Sequence, residues 1–205
     1  MKQFTSTNRS FLCLWYAFAI ELGIGLLFKC MYWPGASWIV MFSVVALMCT
    51  LIHGIVLAAK KPADWVSLIA LIVMICGSVA FLFLTLRWPG GAMLSLNDYG
   101  FLLVAVAGIA MSYQMPDDAP LHKLSFAAFT SIPAVVFMSM QKLKSIALCT
   151  SGFEHPDYDT MDWDAIAAMP YEQLLRTLNT EIYGVVGCLI LVLSIVSLCL
   201  YLKKK

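Results

Sequence analysis

The sequence contains few charged residues for its length. Of its 205 residues, 12% are Asp, Glu, Lys or Arg and 61% are hydrophobic, and the mean hydropathy is +0.86. A soluble globular domain carries about 25% charged residues, and half that amount cannot cover its surface. The shortage of charge excludes an ordinary soluble domain, a disordered chain and a coiled coil, and indicates an integral membrane protein. The formal net charge of +1 does not favour a nucleic-acid partner.

The chain also lacks the short motifs that indicate a particular enzymatic reaction or a metal-binding site. None of its seven cysteines forms a C-x-x-C pair, so a zinc or thiol-redox site has no support. No phosphate-binding loop, nucleophile elbow or H-E-x-x-H motif is present. The acidic segment 154–164 lacks the glycine and terminal glutamate of a calcium loop. We therefore expect no cofactor, no metal and no enzymatic activity, with an enzyme that uses this acidic segment as a third hypothesis.

Long apolar runs, by contrast, are abundant. A helix needs about 20 mostly apolar residues to cross a bilayer core about 30 Å thick. Six runs reach or approach that length: 11–32, 37–58, 65–86, 92–113, 124–140 and 182–202. The fifth is the weakest, because it is short and contains Pro133, which predicts a kinked structural helix. The predicted fold class is an all-α integral membrane protein with six transmembrane helices.

The distribution of Lys and Arg predicts the orientation, since short cytoplasmic loops are enriched in both. With six crossings and a cytoplasmic N-terminus, eight of these residues lie inside and five outside. Both termini are then cytoplasmic, and segment 142–180 lies outside the cytoplasm. Apolar residues at helical spacing from Ile166 to Leu178 predict a short amphipathic helix before the last span, with Asp162 or Asp164 as its N-cap.

A short segment occurs twice along the chain. Residues 27–36 align with residues 82–91 in the pattern L-F-x-x-x-x-W-P-G-small. The shared positions are Phe28, Trp33, Pro34 and Gly35 in the first copy and Phe83, Trp88, Pro89 and Gly90 in the second. Trp favours the membrane interface, Pro ends the incoming helix and Gly permits unusual backbone angles. Each copy predicts a tight hairpin bend beside a cation, Lys29 or Arg87, with both bends at one membrane face.

The repeat also predicts how the chain is organised. Residues 1–114 form a duplicated two-helix hairpin, in which the first and second spans correspond to the third and fourth. Residues 115–205 add the two remaining spans and the segment between them.

Residues 23–36, GIGLLFKCMYWPGA, resemble the G-x-L-F-K-x-x-H-W-P-G-A hairpin of the GldL family. That family includes the two-helix, stator-like subunit of the proton-driven motor of type 9 secretion. The resemblance covers the first two spans, and more weakly the next two, and implies a shared hairpin fold in a bacterial envelope. Tyr32 stands where the family has His, and residues 44–50 lack the family's intramembrane Glu. The resemblance therefore does not extend to proton-motor activity.

Ionisable residues inside predicted spans are the candidates for function, because lipid disfavours charge. They are Glu21, His53, Asp98 and, at a helix end, Lys29. Two interpretations stay open. In the structural one, Glu21 holds helices together and His53 binds a backbone carbonyl. In the other, Glu21 relays protons or cations, with His53 or Asp98 as a second station. Asp98 and Asn97 also fit a helix cap.

These observations favour a non-enzymatic, structural or assembly subunit of the bacterial inner (cytoplasmic) membrane. Its partners would be the lipid bilayer and other membrane proteins or further copies of the same chain, and not nucleic acid. The alternative is a small proton- or ion-coupled transporter or channel that uses Glu21, since internal repeats and polar residues at the bilayer midplane are typical of transporters.

Overall fold

The protein is almost entirely helical. The computed structural model describes residues 9–59, 65–87, 99–114, 120–154, 156 and 162–203. Of these residues 91% are helical and none lies in a strand. The helices are α1 (Arg9–Cys30), α2 (Ala36–Ala59), α3 (Trp65–Leu86), α4 (Gly100–Tyr113), α5 (Pro120–Thr150), α6 (Trp163–Ala168) and α7 (Pro170–Lys203).

Five of these helices, α1, α2, α3, α5 and α7, are long and apolar enough to cross a bilayer. Their length and composition make the chain a multi-pass α-helical membrane protein. Helix α4 is apolar but shorter, at 14 residues. It coincides with the later part of the predicted span 92–113, and the first residues of that span lie outside the described ranges.

The long helices and α4 form a closed ring. Each packs against the next in the order α1, α2, α3, α4, α5 and α7, and α7 returns to contact α1. The buried apolar side chains lie inside this ring, and Tyr16, Phe11, Phe126 and Phe137 are the largest that are fully buried. Every helix of the ring therefore has one face towards the centre and another face outward.

Glycines allow neighbouring helices of the ring to approach closely. A β-carbon added to Gly187 of α7 would lie 3.0 Å from the Cβ of Leu26 and 3.1 Å from the carbonyl oxygen of Gly23. At another seam of the ring, a β-carbon at Gly108 of α4 would overlap the Oγ1 and Cβ atoms of Thr130 in α5. Helices in lipid associate mainly through such close packing, which small residues permit.

The first hairpin bend explains the spacing between Phe and Trp in the repeated motif. Tyr32 has a φ of +54°. The N–H of Trp33 donates to the carbonyl of Phe28 (3.0 Å), and that of Tyr32 donates to the carbonyl of Lys29 (3.2 Å). The Phe28 and Trp33 rings are 4.4 Å apart. These two bonds, with their apolar contact, form a Schellman motif, which requires Phe and Trp five residues apart.

The start of α2 uses the remaining residues of the bend. Gly35 has a φ of +88°, a conformation that favours glycine, as the sequence predicted for this position. Its carbonyl accepts hydrogen bonds from the N–H groups of Trp38 (2.9 Å) and Ile39 (3.2 Å), which close the first turn of α2. The chain thus reverses direction between Cys30 and Ala36.

Part of the second copy of the motif lies within the described residues. Arg87 aligns with Tyr32, and it too has a positive φ, +56°. Its N–H donates to the carbonyl of Leu84 (3.3 Å), the bond that corresponds to Tyr32–Lys29 in the first copy. Phe83 lies in α3, whereas Trp88, Pro89, Gly90 and Asp98 lie outside the described residues.

The last two spans are longer than the sequence predicted. Helix α5 covers Pro120–Thr150 and continues through Pro133. The predicted amphipathic helix is divided in two: α6 covers only Trp163–Ala168, with Asp162 at its N-cap position, and the rest is the first part of α7. Pro170 opens α7, because a proline needs no N–H partner in the first turn. Residues after 170 are therefore continuous with the last span.

Candidate functional site

Glu21 lies on the outward face of the ring. Between Phe11 and Cys30 of α1 the exposed positions are Leu14, Ala17, Glu21 and Ile24, which follow one another at helical spacing. Glu21 is midway between Phe11 and Cys30, about 14 Å from either end at about 1.5 Å per residue. Its carboxyl has no hydrogen bond or ion pair with any part of the chain that the structure describes. An acid at mid-span thus points away from the core of its own chain.

The other predicted intramembrane residues do not gather around Glu21. His53 is exposed on α2 and makes no hydrogen bond to Glu21. Lys29 lies at the end of α1 and binds residues of other helices. Asp98 falls outside the described residues. The relay between Glu21 and His53 that the sequence left open is thus not present as a direct contact within the chain.

The centre of the ring holds an apolar cavity of about 140 Å³, which we call the central cavity. All six helices of the ring contribute to its walls, among them α5 through Pro133. The hydroxyls of Ser78 and Thr130 reach it but donate to the carbonyls of Met74 (2.8 Å) and Phe126 (2.9 Å) in their own helices. No charged side chain is among its lining residues. Such an apolar space favours a dry interior over an aqueous pore.

One polar atom at the central cavity is unsatisfied. The indole nitrogen of Trp15 is buried and has no hydrogen-bond partner among the described residues. Trp is a donor only, so this group offers a single N–H to the interior. One donor can make only a single hydrogen bond to a polar ligand. The central cavity is therefore suited to apolar groups.

A second cavity, of about 400 Å³, opens at the end of the ring that carries the Trp33 bend. We call it the hairpin-end cavity. Its walls come from the bend, from the start of α2, and from the ends of α3 and α7 that meet there. Its lining includes Lys29, Thr85, Arg87, Arg176, Asn179 and Tyr183. Unlike the central cavity, it is surrounded by side chains that donate hydrogen bonds.

Lys29 connects three helices at this cavity. Its Nζ donates to the carbonyl oxygen of Thr85 (2.6 Å) and to the hydroxyl of Ser37 (3.4 Å), and lies 5.2 Å from the centre of the Tyr183 ring. The Tyr183 hydroxyl donates to the same Thr85 carbonyl (3.2 Å). Thr85 is in the last turn of α3, where exposed carbonyls attract cations. The ends of α1 and α3 therefore lie at one end of the ring.

Helix α7 supplies polar residues that the sequence analysis missed. Glu172 is buried, and its Oε1 is 2.9 Å from Nη1 of Arg87 and 3.4 Å from Nε of Arg176. Asn179 Oδ1 accepts a hydrogen bond from Nζ of Lys144 (3.3 Å). Glu172, Arg176, Asn179 and Tyr183 recur at intervals of three and four residues, so they share one face of α7. This polar periodicity is visible in the sequence. It lies on the helix face opposite the apolar residues that predicted the helix.

The other end of the ring contains a buried polar pair that the sequence also did not indicate. Tyr16 of α1 and His122 of α5 share a hydrogen bond of 3.0 Å between Oη and Nε2. The ring of Tyr201 in α7 lies 5.2 Å from that of His122. These residues join the start of α1 to the start of α5 and the end of α7. We infer that they stabilise the packing of these three helices at that end of the ring.

The Tyr16–His122 bond gives a stability prediction. Tyr16→Phe keeps the buried ring but removes the hydroxyl, so we expect the free energy of unfolding to fall by about 1 kcal/mol. Unfolding in mixed detergent micelles measures it. Tyr113→Phe is the control, because Tyr113 is 74% exposed and its substitution should leave stability unchanged. Equal stability of wild type and Tyr16→Phe would contradict a stabilising bond.

Comparisons of the chain with protein-family models, with curated proteins and with solved structures found no match. The resemblance of residues 23–36 to the GldL hairpin therefore stays a prediction. The geometric features that bear on its role are the outward position of Glu21 and the composition of the two cavities.

Proposed function

We propose that the protein is a non-enzymatic subunit of a complex in the bacterial inner membrane, where it contacts a partner membrane protein through the outward face of α1. The observation that carries this proposal is the exposure of Glu21 at mid-span. An ionisable residue facing lipid at this depth costs about 2.5–3.5 kcal/mol on insertion scales. A polar group from another protein would remove that cost, so Glu21 marks the face that a partner covers.

The surroundings of Glu21 suit such a contact. Leu14 and Ile24 are 46% and 38% exposed and lie on the same face, with the small Ala17 between Leu14 and Glu21. An apolar stripe that contains one acid resembles the way polar residues join helices in membranes. The acid supplies a specific hydrogen bond, and the small residue permits close approach of a partner helix.

The repeated motif and the matching backbone at Tyr32 and Arg87 support a duplicated origin for the first four spans and, through the resemblance to GldL, an envelope location. Tyr32 and Arg87 share a left-handed backbone and equivalent hydrogen bonds. With the bends at the non-cytoplasmic face, both termini are cytoplasmic and α4 makes the fourth of six crossings.

Photo-crosslinking tests the assembly role. A benzoylphenylalanine in place of Ile24 lies one turn from Glu21, and we expect it to crosslink a protein in native membranes. The control is the same probe at Ile109, which is 41% exposed on α4, across the ring from α1. Adding Glu21→Leu to the Ile24 probe should reduce the crosslink severalfold, because the acid no longer pairs with the partner. Crosslinks at Ile109 alone, or lipid adducts alone at both sites, would contradict the proposal.

A transporter remains the second candidate, because Glu21 is an acid at mid-span. The central cavity offers no path to it, so a proton or ion route would run between this chain and its partner. Proton flux into liposomes distinguishes the two roles. Assembly predicts the same background flux for wild type and Glu21→Gln, whereas transport predicts flux in the wild type that the substitution removes.

A further inference from the structure

The hairpin-end cavity carries an excess of positive charge. Lys29, Arg87 and Arg176 line it, and Glu172 is the carboxylate paired with the two arginines. Both arginine side chains remain 48% exposed. Since one acid faces three bases, the cavity has a net charge of about +2 from these groups. Such a concave, cationic surface concentrates anions and repels cations.

Further groups around the cavity can donate hydrogen bonds. Ser37 lies in the first turn of α2, where backbone N–H groups and the helix dipole favour a negative group. The Oδ1 atom of Asn179 already accepts from Lys144, so the amide nitrogen is the part of that side chain that can donate to a ligand. The donors come from four different helices and surround one space.

One donor at the cavity is unsatisfied. Thr85 is 1% exposed and lines the cavity, and its Oγ1 has no hydrogen-bond partner among the described residues. The other threonines among the described residues donate to a carbonyl of their own helix, as Thr50 and Thr130 do. A buried hydroxyl without a partner costs about 1–3 kcal/mol, so its presence requires an explanation. A ligand oxygen in the cavity would supply the missing acceptor.

We infer that the hairpin-end cavity binds a phosphate group. A phosphate offers several acceptor oxygens, which suits a ring of arginine, lysine and hydroxyl donors better than the two oxygens of a carboxylate. Trp33 and Tyr32 at the rim are 54% and 67% exposed and are typical of the headgroup region of a bilayer. An anionic phospholipid headgroup and a soluble phosphate share this chemistry. The site does not depend on whether a partner covers the Glu21 face.

Calorimetric titration of the protein in a neutral maltoside detergent tests the site. The three ligands are dihexanoyl-phosphatidylglycerol, dihexanoyl-phosphatidylcholine and sodium phosphate, at constant ionic strength. We expect saturable binding of phosphatidylglycerol and weaker binding of phosphatidylcholine, whose ammonium group the cations repel. Phosphate binding as tightly as phosphatidylglycerol would support the site and assign it to a soluble phosphate. Absence of saturable binding by both anions would overturn the inference.

Variants locate the binding. Arg176→Gln should weaken phosphatidylglycerol binding about tenfold, because a charge-assisted hydrogen bond is lost. Lys142→Gln is the matched control at the same end of the ring: its Nζ lies 4.9 Å from the Tyr99 ring, outside the cavity lining, and binding should not change. An equal loss in both variants would mean that general surface charge binds the lipid, and would overturn the site.

Thr85→Val separates ligand binding from folding. Valine has nearly the shape of threonine, and the Thr85 carbonyl that holds Lys29 remains. We expect the ligand-free protein to unfold at a higher temperature, because an unsatisfied buried hydroxyl is gone, while phosphatidylglycerol affinity falls about threefold or more. Unchanged affinity in this variant would contradict a ligand contact by Thr85. Since this variant keeps every charge, it stays informative even if Arg176→Gln does not fold.

Discussion

Gly108→Ala is expected to destabilise the protein by about 2 kcal/mol, although alanine is the better helix former. The added β-carbon would overlap Oγ1 and Cβ of Thr130. The Thr130 hydroxyl is held by the carbonyl of Phe126 (2.9 Å), and a Cβ atom cannot rotate away, so α4 and α5 must separate. Overpacking of this kind costs about 1–3 kcal/mol. Unfolding in mixed micelles measures the loss.

Gly184→Ala provides the matched control for this prediction. A β-carbon there would have one neighbour within 4 Å, the Sγ of Cys30 at 3.3 Å, which can move. Alanine also favours the helix over glycine by about 1 kcal/mol. We therefore expect Gly184→Ala to be as stable as the wild type or slightly more stable. An equal change in stability for both substitutions would contradict the role of Gly108 in allowing α4 and α5 to pack closely.

Phe137→Ala is expected to have the largest effect of any single truncation in the core, about 2–4 kcal/mol. Phe137 is 1% exposed, and its ring centre lies 5.0 Å from that of Phe81 and 4.9 Å from that of Phe101. It links α5 to α3 and α4 beside the central cavity, so truncation would enlarge an existing space. The lost free energy is mostly that of side-chain packing. In a membrane the separated helices would still be surrounded by apolar lipid, so little hydrophobic free energy is lost.

Phe42→Ala tests whether this effect depends on burial inside the ring. Phe42 is 61% exposed on the outward face of α2, so its truncation removes contacts with lipid and not with the core. We expect a change in unfolding free energy of less than about 0.5 kcal/mol. A loss as large as that of Phe137→Ala would mean that the ring centre is not where packing stabilises the fold.

The two cavities differ in what they can contribute to function. The central cavity is apolar, and the indole of Trp15 is the one unpaired donor that its described lining offers. The hairpin-end cavity is lined by Lys29 at the end of α1 and by Arg176 and Tyr183 of the last helix. Because its walls come from both halves of the chain, ligand binding there would also hold α7 against α1, α2 and α3.

Local chemistry was enough to predict several elements from the sequence. Long apolar runs specify membrane helices because a helix satisfies its own backbone hydrogen bonds in lipid. The bend at residues 31–35 was predictable because its bonds join residues at most five apart along the chain. The short range of these interactions is also why the positive φ of Gly35 agrees with the sequence-based expectation.

The rotation of each helix was decided by the tertiary structure. Apolar residues occur on every side of α1, and lipid and core are both apolar, so its sequence does not show which face packs inward. The close approach of Gly23 and Gly187 turns α1 so that Glu21 points outward. Ring closure by α7 likewise places Arg176 and Lys29, residues far apart in the chain, in the lining of one cavity. By itself the sequence determined the helices and the first bend, through local forces; only packing between helices decided where the acid points and where the cations meet.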